Sequence, residues 1–312
     1  MSSDPQSSSN KPSVRHVVEY LLAWIFLHAV GLLPRALARY AGSLIGRIAW
    51  IVVPRLRQVG LRNLALALPD LPPSQRELIL RSEYRSLGWQ LAEFAKMSGY
   101  TRDSASRFIR YEGLHNYLAA RDRGNGVLIL TGHLGAWELS SYYHSLAGYP
   151  MSMVIRRLDN PLVDRMVNRI RCLHGNRVMH KDDFARGLIA AMRTGETVGI
   201  LMDTNMTPPQ GVFVPFFGVP ACTASGLARV ALKTGAAVVP GFLVWEESEQ
   251  KYVLRFLPEV PLVDSGDFEA DAVENTALLT AVLENSIRKY PGQWLWMHRR
   301  WKTRPAGDPP IY

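Results

Sequence analysis

The residues whose types and spacing could do chemistry are His133 and Glu138, in the stretch Thr131-Gly132-His133-Leu134-Gly135-Ala136-Trp137-Glu138. An imidazole oriented and made more basic by a carboxylate is a general base able to take a proton from an alcohol. Spacing alone proves little: with 8 histidines and 27 acids in 312 residues, chance supplies about 0.7 such pairs. Context says more. The stretch follows a short apolar run, Val127 to Thr131, entered from Gly124-Asn125-Gly126, which reads as a buried strand. In an open α/β sheet, reactive groups gather just beyond the carboxyl ends of strands. Residues five apart on one regular helix diverge by about 140°. The two side chains therefore converge only if His133 lies in a turn and Glu138 in the first helical turn after it. Gly132 and Gly135 permit such a turn and let a ligand approach the backbone. The competing reading is a structural histidine beside a helix-start glutamate.

A companion nucleophile is missing from the sequence. There is no GxSxG elbow, and neither Cys172 nor Cys222 has a histidine in a known catalytic setting. The base would then act on the substrate's own hydroxyl, by direct transfer with no covalent enzyme intermediate. The absence of GxGxxG and GxxxxGK[ST] weakens dinucleotide and nucleotide-hydrolase readings. Two cysteines without a CxxC pair or a Cys/His cluster argue against a disulfide framework and a structural zinc site, so no metal and no cofactor are expected, and a reducing compartment fits.

The elements that must position this pair alternate. Apolar runs recur at 127–131, 151–155, 198–202, 238–244 and 252–257, with helical patterns at 137–146, 161–173, 183–193 and 225–234 between them. Strand alternating with helix implies crossover connections. The expected fold class is α/β, a mostly parallel central sheet flanked by helices, with a helical, membrane-associated N-terminal part. A long helix is expected over 74–98, opened by a capping box of Ser74 and Glu77.

Residues 1–13 are polar and Ser-rich and read as a disordered leader; 14–56 read as membrane anchor helices and 57–305 as one catalytic domain. The anchor region contains Glu19 and His28, so it is a poor span, a re-entrant segment or an interfacial helix. From Lys11 to Arg62 there are eight Lys/Arg against one acid, with Trp24, Phe26 and Trp50 interleaved, the composition of an anchor on an anionic leaflet. Overall, 36 Lys+Arg against 27 Asp+Glu give a net charge of +9, which points to an anionic partner. The tail 294–304 sets His298, Arg299, Arg300, Lys302 and Arg304 beside Trp294, Trp296 and Trp301, a pattern suited to stacking nucleic-acid bases or to a phospholipid headgroup layer.

Five pieces in register resemble the late (lauroyl/myristoyl-type) acyltransferases of lipid A biosynthesis, a branch of the lysophospholipid acyltransferase superfamily whose hallmark is HxxxxD/E. They are TGHLGAWE at 131–138, VIRRLDNP around Arg156, LMDTN at 201–205, GVFVPFFGVPA at 211–221 and PGQWLWMHRRWKTRP at 291–305. The resemblance covers residues 15–305. Ala136 stands where the family commonly has Asn, and Thr204 where Gln often follows the Asp.

The resemblance implies His133 as general base and Glu138 as its orienting partner. It implies substrate contacts from Arg156, Asp203, Phe216, Gly218, Arg299 and Arg300, with Arg156 on phosphate or carbonyl oxygens and the 211–218 stretch a loop facing lipid. It also implies an acyl thioester donor, on acyl carrier protein or coenzyme A, with a lipid A precursor as glycolipid acceptor. The expected partners are the acyl carrier protein, the glycolipid and an anionic membrane surface, with no nucleic acid. The expected place is the inner membrane, catalytic domain on the cytoplasmic face. The rival expectations are transfer to another glycolipid or a lysophospholipid, a hydrolase using water in place of the lipid hydroxyl, and a basic nucleic-acid-binding protein.

Overall fold

The structure is a computed structural model that describes residues 13–180 and 184–312. The leader expected over 1–13 therefore lies outside the described residues except for Ser13, as does the first residue, Asp183, of the helix expected at 183–193. Four helices come first: α1 (Val14–Leu32), α2 (Arg35–Val52), α3 (Pro54–Ala67) and α4 (Pro73–Lys96). The α/β part follows as α5 (Arg102–Ser106), β1 (Ile109–Glu112), α6 (Leu114–Asp122), β2 (Val127–Thr131), α7 (Trp137–Leu146), β3 (Ser152–Ile155), α8 (Pro161–Arg171) and β4 (Arg177–His180). It continues as α9 (Phe184–Arg193), β5 (Thr197–Leu201), β6 (Gly211–Phe216), β7 (Val219–Ala224), α10 (Gly226–Thr234), β8 (Ala237–Glu246), β9 (Lys251–Phe256) and α11 (Phe268–Lys289).

Among the described residues, seven strands form one sheet in the order β1-β9-β8-β2-β5-β3-β4. Every neighbour pair is parallel except β8 with β9. Helices cover both faces, so the central strands are buried on each side and read as unbroken apolar runs. Val127 and Ile129 of β2 pack with Tyr142 and Trp245 on one face. Leu128 and Leu130 pack with Leu188, Leu227 and Leu279 on the other.

The α4 helix begins one residue earlier than expected, with Pro73 in its first turn, and no side chain caps it. The Ser74 and Glu77 box is therefore not formed: Pro pre-sets the helical φ and has no N–H to satisfy. The 211–218 stretch, expected as a loop, is strand β6 and the turn of an antiparallel hairpin with β7. Its two-residue turn is Phe217 and Gly218, both left-handed at φ 52° and 74°, the backbone that matches strand twist in a tight hairpin.

The α2 helix is built the opposite way from a soluble helix. Its buried face is Ala38, Gly42, Gly46 and Trp50, and a Cβ on Gly42 or Gly88 would overlap the other's carbonyl oxygen, so α2 and α4 touch backbone to backbone. Its large apolar residues Leu37, Leu44, Ile48 and Ile51 are exposed. The α1 helix likewise exposes Leu21, Leu22, Trp24 and Ile25, and it is long and apolar enough to cross a membrane. Both its ends are nevertheless held by the globular body. Asn160 donates to His16 O (2.9 Å) and Glu19 Oε2 (3.0 Å) at one end, and Lys96 donates to Gly31 O (2.9 Å) and Leu33 O (2.5 Å) at the other.

Candidate functional site

Strands β2 and β5 are parallel neighbours in which Thr131 is level with Leu201. His133 and Asp203 each stand two residues beyond that pair, and the register delivers them to the same place above the sheet. The Asp203 carboxylate is buried, 2% exposed, and accepts three hydrogen bonds. His133 Nδ1 donates to Oδ1 at 2.8 Å, the His133 backbone N to Oδ2 at 2.6 Å, and Trp294 Nε1 to Oδ2 at 2.8 Å. A buried carboxylate survives only with such partners. Burial works against its charge, but His133 beside it and these donors hold its pKa at about 2. The same contacts act on the imidazole. Burial disfavours its protonated form, yet the charge and hydrogen bond of Asp203, with a smaller contribution from Glu138, raise its pKa above the ordinary 6.5. With Nδ1 committed to Asp203, Nε2 is the nitrogen left to accept a proton. The His133 side chain is 23% exposed and its ring meets the edge of Trp137 at a centroid distance of 4.9 Å.

The turn that carries His133 is sewn down on two sides. Gly135 N donates to Gln293 O at 2.9 Å, Ala136 N to Leu243 O at 2.8 Å, and Leu295 N to His133 O at 3.2 Å. Gly135 is left-handed at φ 66°, and a Cβ there would run into the Leu243 carbonyl, so glycine alone fits. The amides of His133, Gly135 and Ala136 are all used in these bonds, so an oxyanion must find other donors.

Glu138, the partner expected for His133, makes its hydrogen bonds elsewhere. The Glu138 carboxylate forms a two-pronged ion pair with Arg171 of α8, Nε to Oε2 at 2.8 Å and Nη2 to Oε1. It sits in the first turn of α7, as expected, but its oxygens face α8, while the strand register puts Asp203 nearer the imidazole.

The other expected site residues are scattered. Arg156 is exposed, on the loop one residue after β3, and pairs with Asp159 at 2.9 Å. Phe216 is fully buried against Trp294 and Trp301, a core residue rather than a lipid-facing one, because alternation along β6 turns it inward. Gly218 is at the exposed hairpin tip. Arg299 is half-buried, its guanidinium 5.7 Å from the Tyr312 ring. Arg300 is 1% exposed and donates to Cys222 O and Thr223 Oγ1. Burial lowers its pKa to about 10, and its guanidinium reaches into the body.

Trp294, Trp296 and Trp301 are also buried, so they offer neither a headgroup belt nor a base-stacking platform. His298 turns inward as well: its Nε2 accepts from Asn205 N at 3.0 Å, and burial lowers its pKa to about 4. The tail is a strap that holds the His133 turn from behind. Trp294, which donates to Asp203, and Arg171, which pairs with Glu138, make contacts at this turn that sequence reasoning missed.

Beside this turn a narrow apolar cavity of about 60 Å³ runs between α7 and the sheet. Of the residues that line it, Thr131, Trp137, Glu138 and Arg171 are part-exposed and form its open end, while Ile129, Met153, Gly199, Met151 and His144 are buried. Among the described residues, no group of three or more His, Cys, Asp and Glu side chains is placed to hold a metal ion.

A family model described as bacterial lipid A biosynthesis acyltransferase matches residues 8–303. The chain is 29% identical over 298 residues to the lipid A biosynthesis palmitoleoyltransferase of Escherichia coli (strain K12), with 94% of this chain and 95% of the relative covered. It is 28% identical over 299 residues to the lipid A biosynthesis lauroyltransferase of the same strain, with the same coverage of 94% and 95%. It is 24% identical over 299 residues to that strain's lipid A biosynthesis myristoyltransferase, with 95% and 91% covered.

Proposed function

The chain belongs to the bacterial lipid A biosynthesis acyltransferase family and is an acyltransferase, and on that footing we propose that it moves a fatty acyl chain from an acyl thioester, on acyl carrier protein, to a hydroxyl of a lipid A precursor. The observation that carries the reading is the open Nε2 of His133 with Nδ1 held by a buried, ionised Asp203. His133 Nε2 takes the proton of the acceptor hydroxyl as its oxygen attacks the thioester carbonyl. The ester C–O bond forms, the C–S bond breaks, and the proton passes from the imidazolium to the leaving thiolate. Asp203 stabilises the imidazolium without itself being protonated, as its low pKa requires. No enzyme side chain is acylated in this scheme and no cofactor takes part.

The apolar cavity beside His133 receives the acyl chain, with its mouth at Trp137. Arg156 follows Ile155, which lines that cavity, and is exposed; with Arg299 it offers guanidinium forks to acceptor phosphates. The net charge of +9 favours both an acidic carrier and a phosphorylated acceptor.

The outward apolar faces of α1 and α2 enter the membrane. Because both ends of α1 are hydrogen-bonded to the body, the helix lies in the interface rather than across the bilayer. The eight cationic positions from Lys11 to Arg62 favour the inner membrane, with the catalytic domain on the cytoplasmic face.

The test is incubation of the purified protein with acyl carrier protein thioester and lipid A precursor, with the products identified by mass. One added acyl ester is expected, abolished by His133→Ala, and no acyl adduct on the intact protein. Release of free fatty acid with no acylated glycolipid would replace transfer by hydrolysis.

A further inference from the structure

Met151 joins two cavities. It lines the floor of the slot beside His133, and it also lines a second cavity of about 190 Å³ at the opposite, amino-terminal end of the strands, with Tyr117, Arg121, Ser152, Arg177 and Thr197. Among the described residues, no other belongs to both linings.

The strand registers show how the partition is made. Ile129 is level with Gly199, Gly199 with Met153, and Thr131 with Leu201. The slot thus descends along the sheet face from Thr131 and Leu201, past Gly199, to Met151, about 13 Å over four residues of strand rise. Gly199 leaves a gap in the middle of that wall, and the Met151 methyl fills it: a Cβ built on Gly199 would lie 2.5 Å from Met151 Cε. Met151 is itself 8% exposed. It is unbranched and free to rotate about three bonds, so it can adjust to what packs against it. Below it the wall changes chemistry. Arg177 pairs with Glu196 at 3.2 Å, and Arg121 and Thr197 add further polar groups, a poor environment for methylenes.

We propose that Met151, seated on Gly199, is the floor that sets which acyl chain length this enzyme transfers. The inference rests on the acyl-slot reading above. An incoming chain packs down the slot until its terminal methyl meets the Met151 side chain, and the polar cavity beneath discourages passage beyond it. Removing the Met151 side chain lengthens the slot by three heavy atoms without opening an unlimited apolar tunnel. A Cβ on Gly199 displaces the Met151 methyl from that gap into the slot and shortens it. Gly199 has a backbone conformation open to any residue, and the atom it would crowd is the flexible end of a methionine.

The experiment offers the full-length protein an equimolar mixture of even-numbered saturated acyl thioesters with lipid A precursor and reads the product masses. Met151→Ala is expected to move the preferred chain longer by roughly two to four carbons, and Gly199→Ala to move it shorter by about two, each two-carbon step being worth about tenfold in relative rate. Met151→Leu, which keeps the volume, is expected to keep the wild-type profile. Thermal melting of each variant separates loss of fold from change of preference.

An unchanged product profile in both alanine variants overturns the proposal while leaving acyl transfer intact. So does an equal loss of rate for every chain length. If the wild-type protein makes no acylated glycolipid, the acyl-transfer reading fails first and takes this one with it.

Discussion

His133 and Asp203 stand 70 residues apart in the chain and share two hydrogen bonds, one from the ring Nδ1 and one from the backbone N of the same histidine. The double contact fixes the ring's tautomer and the position of its Cα together. It follows from a register rather than a motif, since each residue lies two beyond a matched strand pair. The carboxylate hydrogen-bonded to the imidazole is therefore that of Asp203, while the carboxylate of Glu138 pairs with Arg171.

That division predicts different phenotypes for two isosteric changes. Asp203→Asn keeps the shape but removes the charge that stabilises the imidazolium, and kcat is expected to fall by about two to four decades with little change in KM. Glu138→Gln releases Arg171 at the slot mouth, and its loss of activity is expected in KM and stability as well. Steady-state kinetics of both variants on the same thioester decide. Equal kcat losses with unchanged KM would return the orienting role to Glu138.

The pH profile carries the same assignment. His133 must be neutral to act as a base, and its pKa is raised; kcat/KM should therefore rise with pH through an inflection above 6.5. Asp203→Asn should move that inflection down, and Glu138→Gln should move it less. Stability runs by its own signs. The raised His133 pKa stabilises the fold most below the ordinary histidine value, and that contribution is lost as pH rises through the folded value. The Asp203 pKa is lowered from 3.8 to about 2, so its contribution is present above 3.8 and lost as pH falls toward 2. Thermal melts across pH, with each single variant, check both limbs.

Much of this arrangement was legible in the sequence because its driving forces are local. The observed β2 and α7 have the bounds expected from the apolar run 127–131 and the helical pattern 137–146, and β5, β8 and β9 differ from expectation by one or two residues at their ends. The strands that escaped notice carry weaker signals. Edge strands β1, Ile109–Glu112, and β4, Arg177–His180, have no apolar run, β6 holds Pro215 in a stretch read as a loop, and β7 holds Pro220. The pairing of His133 with Asp203 depends on which strands are neighbours, and periodicity along one chain does not encode that. A signal was present all the same, in two apolar strands that each end shortly before a group able to do chemistry. The tryptophans of the tail misled for a physical reason: an amphipathic ring serves a membrane interface and a core equally well, and only the strap across the His133 turn decides between them.

The ion pair between Glu138 and Arg171 is mostly shielded, with side-chain exposures of 20% and 13%. Removing one partner leaves a charge that water only partly reaches. Arg171→Met is therefore expected to destabilise the protein by about 2–4 kcal/mol, and the double variant with Glu138→Gln to recover part of that loss. Urea unfolding of the four proteins in a double-mutant cycle measures it. Strict additivity would mean that the pair contributes nothing beyond its separate parts.

On the proposed membrane attachment, the two faces of α2 should respond differently to substitution. Leu44, Ile48 and Ile51 lie on the outer side of α2 and are 47%, 51% and 72% exposed, while the face that holds α2 to α4 is made of Ala38, Gly42, Gly46 and Trp50. Outer and inner faces are thus separable by mutation. Replacing the three outer residues by Ser removes apolar area worth about 1 kcal/mol each or more, so vesicle partitioning should drop by roughly two to three decades. The packing on α4 is untouched, so the melting temperature in detergent should stay near that of the wild type. Cosedimentation with anionic vesicles at low and high salt measures the partitioning and separates its apolar part from its electrostatic part. The acyl thioester turnover that remains in detergent micelles then shows whether the catalytic site survives release from the bilayer. If the triple Ser variant still sediments with vesicles at wild-type levels in high salt, α2 is not the face that enters the membrane, and α1 alone must carry the attachment.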